Sequence, residues 1–171
     1  MGHIDELLVN KIEAAGIKAP ATGMVATAGT DIADSTAALA MDATYINKIT
    51  FSLLDGAAKT VTLPTFTNVG ETVTIVQKVS LVGSGVLTID CAGSQSFDTG
   101  SYAFWADGSD VATVDVATAG ETKIVLTGEA SNTGTGAGTY AKFTYLGSDK
   151  ILCQVHGNRL STGGGTMAFD A

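Results

Sequence analysis

Cys153 and His156 come nearest, by residue type and spacing, to a metal-binding pair in this chain. Thiolate and imidazole are the usual zinc ligands in proteins. On a β-strand, however, residues three apart point to opposite faces, so this pair could converge only across a bulge. Cys153 shares its face with Ile151 and Val155, which predicts a buried thiol. We therefore predict no metal site here and expect His156 near the surface at a strand end.

The second cysteine, Cys91, follows Ile89 in the same alternating sense and is also predicted to be a buried thiol. Two cysteines are too few for a disulfide-scaffolded secreted domain. A single disulfide bridge between Cys91 and Cys153 remains an alternative. The other histidine, His3, lies in the N-terminal segment, so the histidines do not suggest a ligand set.

The acidic and glycine-rich motifs indicate turns rather than binding loops. Residues 107–110 (DGSD) lack the further acidic ligands and the closing glutamate of a calcium loop. Residues 134–138 (GTGAG) and 163–165 (GGG) lack the lysine and the following helix that phosphate loops use, which predicts a mobile loop or tail. We predict no catalytic residue, cofactor or metal, and hence a protein that is not an enzyme. Glycosidase-type carboxylates assembled from separate strands stay open.

Tyr102 and Trp105 are the candidate glycan contacts, because aromatic rings beside one another can stack on sugars. The alternative is that Trp105 anchors the core, as the single tryptophan of a small domain usually does. The core role is the one we favour.

The charge balance and hydropathy limit the partners. The chain of 171 residues has 9 basic against 17 acidic residues, a net charge of −8, and Arg159 is its single arginine. Binding to a phosphate backbone needs clustered cations, so we expect no nucleic acid partner. No apolar run approaches the roughly 20 residues that span a bilayer, and acidic residues stand where a signal peptide would be basic. We expect no membrane partner and synthesis in a cytoplasm.

The strongest structural pattern is an alternation of threonine with aliphatic residues in residues 59–64 (KTVTLP) and 71–77 (ETVTIVQ). Successive strand side chains point to opposite faces, so Val61, Leu63, Val73 and Ile75 should face a core. The two runs are either a hairpin or consecutive strands of one sandwich.

Similar short apolar runs follow, separated by turn residues. Residues 111–116 and 121–127 are predicted to pair, and residues 140–146 and 150–156 to form a final hairpin. About nine strands of this kind are typical of an antiparallel β-sandwich. We predict an all-β fold, jelly-roll or Greek-key-like, over residues 44–160.

The two ends of the chain differ from its middle in composition and pattern. Residues 1–43 are predicted to be a short helix to Gly16 followed by an extended arm, and residues 161–171 a glycine-rich tail. The helical stripe and a short strand in the arm supply the candidate contacts to other subunits: Ile4, Leu7, Leu8, Ile12, Met24 and Val25.

Four stretches carry a resemblance to a known group of proteins: residues 56–64 (GAAKTVTLP), 70–75 (GETVTI), 86–90 (VLTID) and 140–149 (YAKFTYLGSD). Over residues 56–156 the chain resembles β-rich structural proteins of tailed-bacteriophage virions, most of all capsid decoration (cement) and head-fibre proteins. The resemblance implies a non-enzymatic homotrimer that binds the major capsid protein at local threefold axes, on the virion surface. It also leaves open a fibre-tip or receptor-binding module for host glycans, and more remotely a polysaccharide-cleaving enzyme.

Overall fold

The computed structural model describes residues 27–28, 30–106, 112–128, 135–158 and 166–171. Within these ranges the chain is almost entirely β, with one short 3-10 turn at Ala43–Tyr45 that Asp42 caps. In chain order the strands are β1 (Thr27–Ala28), β2 (Leu39–Ala40), β3 (Lys48–Ser52), β4 (Ala58–Thr62), β5 (Thr72–Gln77), β6 (Val86–Asp90), β7 (Ser96–Phe97), β8 (Tyr102–Ala106), β9 (Ala112–Val116), β10 (Lys123–Thr127), β11 (Tyr140–Gly147), β12 (Lys150–Asn158) and β13 (Met167–Asp170).

The described strands form two sheets that pack face to face. The larger sheet has the order β1-β3-β5-β11-β12-β8-β9, with β7 also paired to β12, and the smaller sheet has the order β13-β10-β6-β4-β2. The predicted all-β sandwich is therefore confirmed. The predicted wholly antiparallel pairing is wrong, because β3–β5, β4–β6 and β8–β12 are parallel.

The parallel pairs follow from the route of the chain. Between residues 39 and 90 consecutive strands alternate between the two sheets. A chain that leaves a sheet and returns one strand later runs in its earlier direction, so the two strands pair in parallel. The hairpin alternative for β4 and β5 is accordingly wrong, and they are consecutive strands of one sandwich.

Two further pairings were predicted, with opposite outcomes. The hairpin of β11 and β12 is confirmed, and its turn places Gly147, Ser148 and Asp149 at positive φ. The predicted pair of β9 and β10 is wrong, because β9 belongs to the larger sheet and β10 to the smaller one. A turn that contains glycine allows the chain to reverse its direction, but it does not determine whether the next strand stays in the same sheet.

The core lies between the inner faces of the sheets. The predicted inward residues Val61, Leu63, Val73 and Ile75 are all buried. Phe97 stacks on Phe143 at 6.2 Å between ring centroids, and meets Phe169 edge-on at 5.3 Å. Aromatic side chains bury large apolar areas, so these rings contribute strongly to the core.

A polar side chain, Gln95, joins a loop to this core. Its Nε2 donates to the Phe66 carbonyl at 2.9 Å, and its Oε1 accepts from the Phe66 N–H at 3.3 Å. Both side chains are buried. Because an unpaired backbone group is costly in the interior, Gln95 supplies here what a neighbouring strand would otherwise supply.

Both termini of the sandwich extend beyond the predicted boundaries. Ile32 is fully buried, and its backbone exchanges hydrogen bonds with Phe51 and Leu53. At the other end, Met167 and Phe169 are buried on β13, within the predicted tail. These runs are too short for their alternation to stand out from loop sequence. The predicted N-terminal helix and the strand near Met24 and Val25 lie outside the described residues.

Candidate binding face

The structure separates the two candidate glycan contacts. Trp105 is only 7% exposed and points into the core, whereas Tyr102 lies on the outer face of the larger sheet. They are three residues apart on β8, so alternation sends them to opposite faces. A shared platform of Tyr102 and Trp105 is therefore wrong, and the core role of Trp105 agrees with its burial. Phe104, between them, is the ring that faces outward with Tyr102.

Cys153 and His156 also point to opposite faces of the larger sheet. Cys153 is fully buried on β12 and His156 is half-buried on the outside. Cys91 is buried as well, and both thiols are free. Burial, with a smaller effect of the Asp90 charge, raises the pKa of Cys91 to about 12, and burial raises the pKa of Cys153 well above its usual range. Both thiols are therefore protonated at neutral pH, which makes them poor nucleophiles.

Across the part of the chain that the structure describes, no three His, Cys, Asp or Glu side chains come together as a metal site would require. The 107–110 turn and the 163–165 glycines lie outside that part.

No helix among the described residues has both the length and the apolar character needed to cross a bilayer.

The outer face of the larger sheet carries a continuous row of aromatic and aliphatic side chains. Strand register places them directly opposite one another on six adjacent strands, from β3 to β9. We call this set the aromatic row: Phe51, Val76, Tyr140, His156, Phe104 and Val114. Tyr140 is 39% exposed, Phe104 36% and Val114 56%. Contiguous exposed apolar surface of this kind marks binding surfaces more often than bare solvent-facing sheet.

His156 contacts three neighbouring side chains, those of Tyr140, Phe104 and Tyr102. Its ring stacks on Tyr140, with centroids 5.0 Å apart and planes 16° from parallel, and it lies 6.3 Å from the ring of Phe104. The Tyr102 hydroxyl lies 3.0 Å from His156 Nε2, and Gln154 Nε2 donates to that hydroxyl at 3.3 Å. The rings are thus held in place before any partner binds, which lowers the entropy cost of binding.

Cations flank the aromatic row. Lys78 Nζ lies 5.9 Å from the centroid of the Phe51 ring, a cation–π arrangement. Lys142 is exposed in the next register row, opposite Thr74 and Gln154. On the described strands of this sheet, the outward positions between β3 and β9 carry no Asp or Glu. This face is therefore apolar and locally positive although the whole chain is acidic.

The outer face of the smaller sheet is different. One register row reads Thr60, Thr88 and Val125, and the next reads Thr62, Asp90 and Lys123. These side chains are small, and the charges are of both signs, as expected of a solvated surface. The aromatic row is accordingly the candidate binding face.

The sequence did not reveal the aromatic row. Its members come from six separate strands, and only the register between strands brings them together. The sequence does indicate that Tyr102 and Phe104, two residues apart on one strand, share a face, and that Gln154 and His156 do so on another.

The chain matches no protein-family model, no curated protein and no solved structure.

Proposed function

We propose that this chain is a non-enzymatic structural protein of a tailed-bacteriophage virion that decorates and stabilises the capsid exterior. The observation that supports it is the aromatic row, a partly exposed apolar surface on the outer face of the larger sheet, together with the resemblance over residues 56–156. Such a surface suits contact with other subunits, and cementing a shell requires no catalytic residue.

The proposed assembly is a homotrimer bound to the major capsid protein at local threefold axes. A closed symmetric oligomer presents several copies of a weak contact at once, so avidity exceeds the affinity of one copy. Binding to the assembled shell alone stabilises that state by mass action.

Occupancy on purified expanded capsids tests the role. Residues 27–43 contribute β1, β2 and buried Ile32, so a deletion that spares the sandwich must end before Thr27. We expect the full chain to saturate the shells and raise their resistance to heat, and a chain lacking residues 2–25 to bind poorly. Equal occupancy of the two chains would exclude the N-terminal segment as the anchor, and no binding by either would contradict the capsid role.

A receptor-binding module for host glycans is a second candidate, favoured by the cluster of Tyr102, Phe104, Tyr140 and His156. Aromatic rings with hydroxyl and amide groups at their edges are suited to sugars. Binding of the isolated protein to host cells should then be lost in Tyr102→Ala and kept in Thr60→Ala, which changes the opposite face. Trp105→Ala is not a usable test because that ring belongs to the core.

A further inference from the structure

We infer that the aromatic row binds an apolar patch of the major capsid protein that is flanked by Asp or Glu carboxylates. This contact rests on the proposed capsid role, and it adds the chemistry of the partner surface to that role.

Three rings form the apolar centre of the contact. Strand register places Tyr140 opposite His156, and His156 opposite Phe104, on the adjacent strands β11, β12 and β8. Tyr140 and Phe104 are each more than a third exposed. Stable interfaces usually have an apolar centre with aromatic anchors and a polar rim, so these rings are suited to an apolar patch on the partner.

The polar groups beside the rings are cations and hydrogen-bond donors. On one side Lys142 lies opposite Gln154, and Gln154 lies opposite Tyr102. Gln154 Nε2 donates to the Tyr102 hydroxyl at 3.3 Å, and the Lys142 side chain is exposed. On the other side of the row Lys78 Nζ lies over the Phe51 ring. Cations therefore flank the aromatic row on both sides.

The charge of this face is opposite to that of the whole chain. The chain has a net charge of −8, yet the outward strand positions between β3 and β9 carry no Asp or Glu among the described residues. Bound surfaces tend to have complementary potentials, which favours a partner with carboxylates around its apolar patch. Exposed pairs of this kind contribute little affinity. We therefore expect the rings to supply most of the affinity and the lysines to select the partner.

The same charges disfavour the aromatic row of a second copy as the partner. Two rows packed face to face would bring Lys78 and Lys142 of both copies into one interface. The described outward strand positions of this face offer no acid to pair with them. Like charges across an interface suppress a wrong partner, so the capsid protein is the favoured occupant.

Charge reversal on purified expanded capsids tests the inference with the full chain. We expect Lys142→Glu to weaken binding about tenfold or more, because it places like charges opposite one another. Lys142→Gln only removes the attraction and should weaken binding about two- to fivefold. The matched control is Lys123→Glu on the outer face of the smaller sheet, which changes the net charge equally and should bind as the native chain does.

The apolar centre has its own pair of variants. Phe104→Ala should weaken binding about tenfold, as expected of an aromatic anchor. Its control is Val69→Ala, since Val69 is 73% exposed but lies beside Gly147, at the opposite end of β11 from Tyr140. An unchanged free energy of unfolding in each variant would show that the sandwich is intact.

The outcomes separate this inference from the capsid role. If the native chain binds and Lys142→Glu binds equally well or more tightly, the partner surface is not acidic, and the inference fails while the capsid role stands. If Lys142→Glu instead changes the mass of the isolated oligomer in light scattering, the row contacts a sister subunit, which also overturns the inference. Absence of binding by the native chain would contradict the capsid role, and the inference would fail with it.

Discussion

The two faces of the larger sheet use aromatic residues in opposite ways. The inner face buries Phe143 and Trp105, whereas the outer face exposes Phe104 and Tyr140 on the same strands, β8 and β11. Phe143 stacks on Phe97, and Trp105 belongs to the buried core cluster. Among the described residues, both outer rings contact His156 of their own sheet.

This difference separates what folds the chain from what is available to a partner. Burial of an aromatic side chain between the sheets contributes directly to the free energy of folding. An outward ring contributes little to folding, because it stays partly in contact with water in the native state. Its apolar area is instead available for binding, which is why the aromatic row supports the proposed function.

Phe143→Ala should give the largest effect on the inner face. It removes a fully buried ring stacked on Phe97, and leaves a cavity that costs about 3–5 kcal/mol of unfolding free energy. Chemical denaturation with the tryptophan signal measures it. The matched control is Phe104→Ala on the outer face, and equal losses for the two would contradict the division between the faces.

Gln95→Ala should give the next largest effect, because the inner region depends on this side chain for backbone hydrogen bonds. The substitution leaves the N–H and carbonyl of Phe66 without their partner, which costs about 1–3 kcal/mol. Ser94→Ala is the neighbouring control, since Ser94 is exposed and its hydroxyl donates to the Asp149 carboxylate at the surface. Faster hydrogen exchange at the Phe66 amide should accompany the loss.

The sequence was sufficient to predict the inner face but not the outer one. Alternation in residues 59–64 and 71–77 placed Val61 and Ile75 in the core, because the period of a strand is local information. The same alternation could not tell that β4 and β5 belong to different sheets, since pairing depends on contacts far apart in sequence. The aromatic row needed the register of six strands, and no local pattern encodes it.

The alternation of side chains along a strand could have corrected the predicted glycan platform before the structure was known. Tyr102 and Trp105 are three apart on a single strand, so they could not share a platform. By contrast, β13 could not be predicted from the sequence pattern, because its buried residues, Met167 and Phe169, are only two apolar residues beside a glycine-rich stretch.

The two buried thiols should make the protein less stable in mild alkali. Burial raises the pKa of Cys91 to about 12 and that of Cys153 well above its ordinary value. Unfolded thiols lose their protons near pH 8.5, whereas the folded ones keep them, so stability is full below that pH and falls above it. We expect a loss of about 1 kcal/mol between pH 8 and 9 by linkage. Cys153→Ala should flatten this slope, and an unchanged slope in that variant would show that other groups cause it.

Val116→Thr should give the smallest effect, and it examines the outer face directly. Val116 is 57% exposed on β9, opposite Tyr102, and threonine keeps both its shape and its strand preference. A surface substitution of this kind should change the unfolding free energy by less than about 0.5 kcal/mol. The matched inner substitution, Val155→Thr, puts a hydroxyl into the core beside Cys153 and should cost about 1–3 kcal/mol. Equal costs for the two variants would mean that a partner or another part of the chain already covers the outer face in the isolated protein. A smaller cost for Val116→Thr would show that the outer face is accessible to solvent at Val116. This residue lies beside the aromatic row rather than within it.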